Sequence, residues 1–489
     1  MSLVADSPVS SSGSDDFAEF LDGHLDAGSE NEDDGEAKRE VASSSSSSSS
    51  SEEEFEDDDQ PVSKRYYSEQ LICRTKIPEA EIVQNGDGLE GSASHVIVKQ
   101  NLETSSSASV SKNECAHPGS FGKLCVRCGA QVEVAGVSFG NIHKEILFGN
   151  AEVARWRDTD TKSVLCRRKL YLVLDLDHTL LNSTHLKHMV PEEDYLNNQI
   201  DSIQDCQNGS LFRLSFMNMM TKLRPYVHTF LKEASQMFEM YIYTMGDKAY
   251  ALEMAKLLDP RNEYFHAKVI SRNDGAQRHQ KSLDMVLGDE SAVLILDDTE
   301  HVWPSHRDNL ILMERYHFFA SSCQQFGFGC HSLSQLKSDE SEPEGALAAV
   351  LSVLRRVHHI FFNELAGQTG RRDVRQVLNT VRKDVLKGCR IVFSRVFPSK
   401  FPAESHPLWK MAVNLGATCA TEVDPTVTHV VAMDPGTKKS RWALEKDKFL
   451  VLPRWIDGAN YLWQRLPEEN FLVKSNEPKA EAKVKDSVV

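Results

Sequence analysis

The sequence predicts an α/β protein built on a parallel sheet, followed by a second, smaller α/β module and preceded by a disordered acidic tail. Three observations predict it. Between residues 150 and 335, apolar runs of strand length alternate with stretches at helical spacing. Three of those strands end in polar residues, where open α/β sheets hold their ligands. The charge is also confined. Residues 1–60 carry 19 Asp/Glu and 2 Lys/Arg, a difference of −17 that equals the net charge of all 489 residues. From residue 61 onward acids and bases balance at 53 each, which argues against a protein that coats nucleic acid.

Taken in order, residues 1–112 read as disordered. An unbroken serine run, Ser43 to Ser51, precedes the acidic block EEEFEDDD, and such composition cannot offset the entropy lost on ordering. The plain reading is a solvated tail, although serines just upstream of Glu54 also suit an acid-directed kinase. Residues 113–135 stand apart. Cys115, His117, Cys125 and Cys128 supply four soft or borderline ligands within fourteen residues, and Cys125-x-x-Cys128 followed by Gly129 is a turn that presents two thiolates to one zinc ion. The Cys-x-His spacing is less usual, so an ordered loop with incidental cysteines is the alternative.

Within 150–335, Tyr171 to Leu174 form a buried strand. Pro225 can open a helix at its first position, with Val227, Phe230, Leu231, Ala234 and Phe238 on one face. A strand from Met240 to Tyr243, a helix from Lys248 to Leu258 halted by Pro260, and a strand from Ala292 to Leu296 follow. Residues 340–387 read as a helical linker, first around Leu347 to Phe362 and again around Val374 to Leu386. Residues 388–475 form the smaller module, with strands in CRIVFS, THVVA and FLVL; residues 476–489 are a polar tail. No run of about 18 apolar residues suggests a membrane span. The start lacks a secretory signal, and ten scattered cysteines suit a reducing compartment.

The chemistry concentrates in LVLDLDHTLL. Alternating carboxylates at a strand end can divide the labour of phosphoryl transfer: Asp175 attacks phosphorus, while Asp177 protonates the leaving oxygen and later takes a proton from water. A carboxylate approaching a phosphate dianion needs a divalent cation, and Asp297-Asp298 are natural further ligands. Paired aspartates that merely cap a helix are the bland alternative. Thr244 in YIYTMG and Lys281 in HQKSL are each weak alone. Their order between DLDHT and LDD is what gives them weight.

That ordered set resembles the haloacid-dehalogenase superfamily of aspartate phosphatases. More narrowly, KLRPYVHTFLKEASQMFEMYIYTMGDKAYA and VLILDDTEHVW resemble RNA polymerase II C-terminal-domain phosphatases of the large, TFIIF-associating type, the plant phosphatase-like proteins among them. The resemblance covers roughly 113–475. It implies a parallel sheet with helices on both faces and a C-terminal BRCT domain. It makes Asp175 the nucleophile, Asp177 the general acid/base, and Thr244, Lys281 and Arg224 the phosphate-binding set, supported by Thr179, Asp259 and Asp297. It implies Mg²⁺, replaceable by Mn²⁺ or another divalent cation, on the Asp175 carboxylate, the Asp177 carbonyl and Asp298. The family's RPG reads Arg224-Pro225-Tyr226 here, which puts the local turn in question. Smaller members have Asn after the first aspartate of the last motif, so Asp297-Asp298 follows the large type.

The resemblance also implies a substrate. Superfamily members acting on small metabolites generally carry a cap domain, whereas residues 182–222 form one polar insertion too short for that. The site then suits a flexible polypeptide, the phosphorylated Tyr-Ser-Pro-Thr-Ser-Pro-Ser heptads of the polymerase, in the nucleus, with TFIIF a candidate partner and no direct nucleic-acid or membrane binding. In the BRCT region, Ser394 and Lys439 are the family's phosphopeptide contacts, Trp455 reads as core, and a purely structural BRCT is equally open. A catalytically idle BRCT adaptor and a phosphatase for another phosphoprotein are the alternatives overall.

Overall fold

The computed structural model describes residues 115–133, 136–139, 145–202, 209–275, 279–327, 331–364, 372–398 and 401–473. The expected acidic tail and the polar tail from residue 476 lie outside them. The described residues fall into two compact units that part between Glu152 and Val153.

The first unit is a small antiparallel sheet in the order β2-β1-β4-β3, formed by β1 (Gly119–Phe121), β2 (Leu124–Cys125), β3 (Gly136–Ser138) and β4 (Ile146–Gly149). It extends past the 113–135 segment that the cysteines mark. The reason is that β3 and β4 carry neither cysteine nor a long alternating pattern.

After α1 (Asn150–Cys166), the second unit opens with β5 (Leu170–Leu174), whose five residues are all buried. Such a run fits only a strand covered on both faces. β5 is central to a five-stranded parallel sheet with β9 (Phe238–Tyr243), β10 (Val269–Ile270), β11 (Val293–Asp297) and β12 (Leu310–Leu312), in the order β10-β9-β5-β11-β12. Register sets Leu172 beside Met240 on one side and Leu294 on the other. The chain runs outward from β5 through β9 to β10, then returns to β11. The crossing point therefore lies at β5, and its carboxyl end is the crevice where such sheets bind ligands.

Between β5 and β9 comes the insertion, with β6 (Leu181–His185), β7 (Leu211–Leu214) and β8 (Met219–Leu223) paired in the order β6-β8-β7. The expectation of a polar insertion is corrected here. Leu196, Leu211 and Met220 form an apolar cluster with Tyr316, Phe318 and Phe319, partners more than 90 residues away that local composition cannot reveal. The helix after Arg224 is α2 (Val227–Met237), and it buries Val227, Phe230, Leu231 and Ala234 as the spacing predicts. Pro225 stands before the helix rather than at its first position. Tyr226 is the N-cap, at φ 71°, a left-handed conformation that a glycine would adopt without strain. α3 (Lys248–Leu258) has the predicted bounds, with the Tyr250 N–H donating to the Asp247 side chain at its start.

Beyond β12 and the short α4 (Ala320–Gln325), α5 (Ala346–His359) and α6 (Val374–Lys383) are not a spacer. α6 buries Val374, Val377, Leu378 and Val381, a stripe at helical spacing, and α5 buries Leu347, Val350, Leu351 and Leu354. Both stripes join one continuous core that runs from the five-stranded sheet to Trp409 and Trp455 of the C-terminal module. That module has a parallel sheet of β13 (Arg390–Ser394), β14 (Thr418–Ala420), β15 (His429–Ala432) and β16 (Phe449–Val451), ordered β14-β13-β15-β16 and flanked by α7 (Pro407–Asn414), α8 (Lys438–Glu445) and α9 (Arg454–Leu462). Trp455 is fully buried, donates to the Leu466 carbonyl at 2.9 Å and stacks on His429, so it is a packing residue. Among the described residues no helix is long and apolar enough to cross a membrane.

Candidate active site

Three adjacent strands deliver the site. Asp175 follows β5, Thr244 follows β9, and Asp297 and Asp298 come at the end of β11. Lys281, on the connection leading to β11, points between them. Its Nζ lies 2.7 Å from Asp175 Oδ1 and 2.6 Å from Asp297 Oδ2, with all three side chains buried. Asp297 is further held by the Trp303 indole N–H at 2.8 Å and by the Thr299 N–H on its other oxygen at 2.8 Å. Both oxygens of Asp297 are thus engaged, and its part is to fix Lys281.

Electrostatics follow from burial. Desolvation, opposed by Lys281 and reinforced by Asp297, Asp298 and Asp177, pushes the Asp175 carboxyl well above the usual carboxylate range. The two carboxylates facing Lys281 outweigh its burial and keep its ammonium protonated. Asp177 is also raised by burial, against the pull of a hydrogen bond from the Tyr250 hydroxyl to Asp177 Oδ1 at 2.5 Å. The Thr244 hydroxyl accepts the Gly246 N–H at 2.9 Å and is nearly inaccessible. Gly246 is required there, since a Cβ would come within 2.6 Å of the Tyr250 ring.

Oxygens of Asp175, Asp297 and Asp298 lie within 4.8 Å of one another. Four carboxylates, counting Asp177, face one lysine and Arg315, whose Nε pairs with Asp298 Oδ2 at 2.6 Å. A largely buried oxygen donor set with surplus acidic groups fits a hard divalent cation.

The surroundings of Arg224 differ from those a phosphate-binding role implies. Arg224 is not turned toward a phosphate: its fork pairs with Glu340 at 2.9 and 2.7 Å, and Nη1 donates to the Thr179 carbonyl at 3.0 Å. The guanidinium thereby clamps the loop after Asp177, where His178 sits at φ 62°, a conformation rarely held without outside support. Arg224→Lys is therefore expected to cost about 2–3 kcal/mol of stability and to lower kcat with little change in peptide KM. Denaturant melts and steady-state kinetics check it; a rise in KM alone would make Arg224 a phosphate ligand after all. Asp259 likewise serves the backbone, accepting the N–H groups of Glu263, Tyr264 and Phe265 at 2.7–3.0 Å and shaping the turn after α3. Thr179 is fully buried, and its hydroxyl has no partner among the described residues.

In the C-terminal module the two expected phosphopeptide contacts are engaged separately. The Ser394 hydroxyl is buried against Thr437 at 2.7 Å, whereas Lys439 donates to the Thr421 carbonyl and pairs with Glu422.

Tyr250, Glu340 and Arg315 were not read from the sequence. Arg315 had a signal, because it lies just past the carboxyl end of β12, where the rule that singled out Asp175 and Thr244 applies equally. Tyr461, on α9, also escaped notice. Its phenol is raised chiefly by burial, with Asp457, Glu314 and Asp298 adding to it and Arg315 opposing.

The comparisons with known proteins agree with this geometry. Residues 170–326 match the NLI interacting factor-like phosphatase family, and residues 381–458 match the BRCA1 C Terminus (BRCT) domain. The chain is 56% identical over 475 residues to RNA polymerase II C-terminal domain phosphatase-like 4 of Arabidopsis thaliana, covering 96% of this chain and 97% of the relative. It is 42% identical over 324 residues to RNA polymerase II C-terminal domain phosphatase-like 3 of the same plant, covering 64% of this chain and 26% of that longer protein. Among solved structures, Fcp1, described as an essential RNA polymerase II CTD phosphatase, superposes with a TM-score of 0.51 at 25% identity, covering 65% of this chain and 99% of that one. Sheet, carboxylate cluster and appended BRCT module together make this chain a member of the RNA polymerase II C-terminal-domain phosphatase-like family, aspartate-dependent protein phosphatases of the haloacid-dehalogenase fold.

Proposed function

We propose that the chain removes phosphate from serines in the heptad repeats of the RNA polymerase II C-terminal domain through an aspartyl-phosphate at Asp175. The observation that carries the reading is the Asp175–Lys281–Asp297 contact beside Asp177, at the ends of adjacent strands. Lys281 draws the phosphate toward Asp175, and the Thr244 hydroxyl, already accepting the Gly246 N–H, has its own proton left for a phosphate oxygen. An Asp175 oxygen attacks phosphorus as the bond to the serine oxygen breaks. Asp177, its carboxyl raised by burial and oriented by Tyr250, gives that oxygen its proton. The Asp177 carboxylate then accepts a proton from water, whose oxygen attacks phosphorus, releasing phosphate and restoring Asp175. Asp175, the Asp177 carbonyl and Asp298 would hold Mg²⁺, or Mn²⁺ or another divalent cation in its place, which would neutralise charge between carboxylate and phosphate.

The described part of the insertion at 182–222 holds three short strands and three 3-10 segments, which is less than a lid domain and suits an extended peptide. A nuclear location and contact with TFIIF accompany this substrate and rest on family resemblance. The test is phosphate release from heptad peptides phosphorylated at the second or the fifth position, with Mg²⁺ or with excess chelator. Metal-dependent release supports the reading. No release from either peptide by folded protein would favour the idle adaptor or another phosphoprotein substrate.

A further inference from the structure

The N-terminal unit carries a second donor cluster, chemically unlike the first. Cys115, His117, Cys125 and Cys128 bring one donor atom each within 4.8 Å of one another. Cys115 and Cys125 sulfurs are 3.9 Å apart, and Cys128 Sγ lies 3.5 Å from His117 Nδ1. A tetrahedron with zinc–sulfur bonds of about 2.3 Å and a zinc–nitrogen bond of about 2.05 Å has sulfur–sulfur edges of about 3.8 Å and sulfur–nitrogen edges of about 3.6 Å. The two measured edges match it. They do not match a disulfide, whose sulfurs stand about 2.05 Å apart, and these cysteines are free.

The backbone is arranged for the same purpose. β1 and β2 form a hairpin that pairs Ser120 with Cys125 and returns the chain to the side of Cys115 and His117. Past it, the Gly129 N–H donates to the Cys125 carbonyl at 2.9 Å, and the Cys125 N–H donates to the Ala130 carbonyl at 2.8 Å. The Arg127 N–H points at Cys125 Sγ at 3.4 Å, the kind of outer contact that supports a metal-bound thiolate. Gly129 closes the turn at φ +70°, where a side chain would be strained.

We infer that these four residues form a closed structural zinc site of the Cys₃His type, with His117 bound through Nδ1, and that the small N-terminal sheet folds only when it is filled. Thiolate with imidazole selects zinc over Mg²⁺, whose ligands are oxygens, so this centre is independent of the carboxylate cluster and of the phosphatase reading. Four protein ligands leave no open position, which excludes a catalytic role for this ion. The need for metal follows from the core. Among the described residues of this unit, the buried apolar side chains are Cys125, Phe139 and Phe148, too few to hold a sheet of short strands.

The test uses the full chain, purified under reducing conditions with zinc supplied. Elemental analysis should find about one zinc per chain, and none in a Cys125→Ser/Cys128→Ser double variant. Asp175→Asn should keep its zinc, which separates this site from the carboxylates. Cobalt substitution of the unmutated chain should give the visible bands of a tetrahedral thiolate centre, a readout that does not depend on any variant folding. The double variant should also gain protease cuts within 115–152 while residues from 153 on resist. Absence of zinc and of cobalt bands in the unmutated chain, or zinc retained by the double variant, would overturn the inference.

Discussion

Asp175→Asn is expected to lower phosphate release from heptad phosphopeptides by roughly 10⁴-fold or more while leaving the protein at least as stable. The amide is nearly isosteric but cannot form the acyl phosphate, so the chemical step is lost. The stability argument runs the other way. Asp175 is buried among Asp177, Asp297 and Asp298, and their repulsion together with desolvation already disfavours its charge. Neutralising it removes that cost, and Lys281 keeps Asp297 at 2.6 Å. Thermal melts in chelator should show an unchanged or raised midpoint. Release above about one per cent of the unmutated rate would exclude Asp175 as the sole nucleophile, and a lowered midpoint would mean that its carboxylate is a net structural asset.

How much of this was legible in the sequence depends on range. Asp175, Thr244 and Asp297-Asp298 could be read because a buried strand announces itself locally and its carboxyl end is a predictable address. Lys281 could be placed only by its order among those motifs. What the sequence hid are partnerships across long separations: Arg224 with Glu340, 116 residues on, and Tyr250 with Asp177, 73 residues back. Nothing in LRPY distinguishes an arginine that grips a phosphate from one that grips a carboxylate and a backbone carbonyl. The left-handed Tyr226 was foreshadowed by the missing glycine of RPG, but composition could not decide whether the turn would change or the tyrosine would bear the strain. The same holds for the insertion, whose apolar residues look isolated until Tyr316, Phe318 and Phe319 cover them. Short strands such as Thr418–Ala420, half exposed at a sheet edge, carry too weak a period to be seen.

The second large effect is expected from Lys281→Met. Lys281 is the buried cation between Asp175 and Asp297, and methionine fills its volume without its charge. Breaking a buried ion pair by removing one partner costs about 3–5 kcal/mol. In metal-free protein at pH 7 the melting midpoint should therefore fall by roughly 5–10 °C. The direction with pH is fixed. Burial already holds Asp175 and Asp297 above their unfolded values, and loss of the lysine raises them further. For an acid whose folded value is the higher one, the penalty is full above that value and disappears as pH falls through it toward the unfolded value. Acidification should hence narrow the gap between variant and unmutated protein, as should added divalent cation at pH 7. Activity should not return in either case, because the phosphate has lost its attracting charge. Adding Asp297→Asn separates the two roles: the double variant should regain part of the stability and none of the catalysis. Lys281→Met protein as stable as the original at pH 7 in chelator would show that these carboxylates do not depend on the lysine, and the charge balance drawn for the site would fail with it.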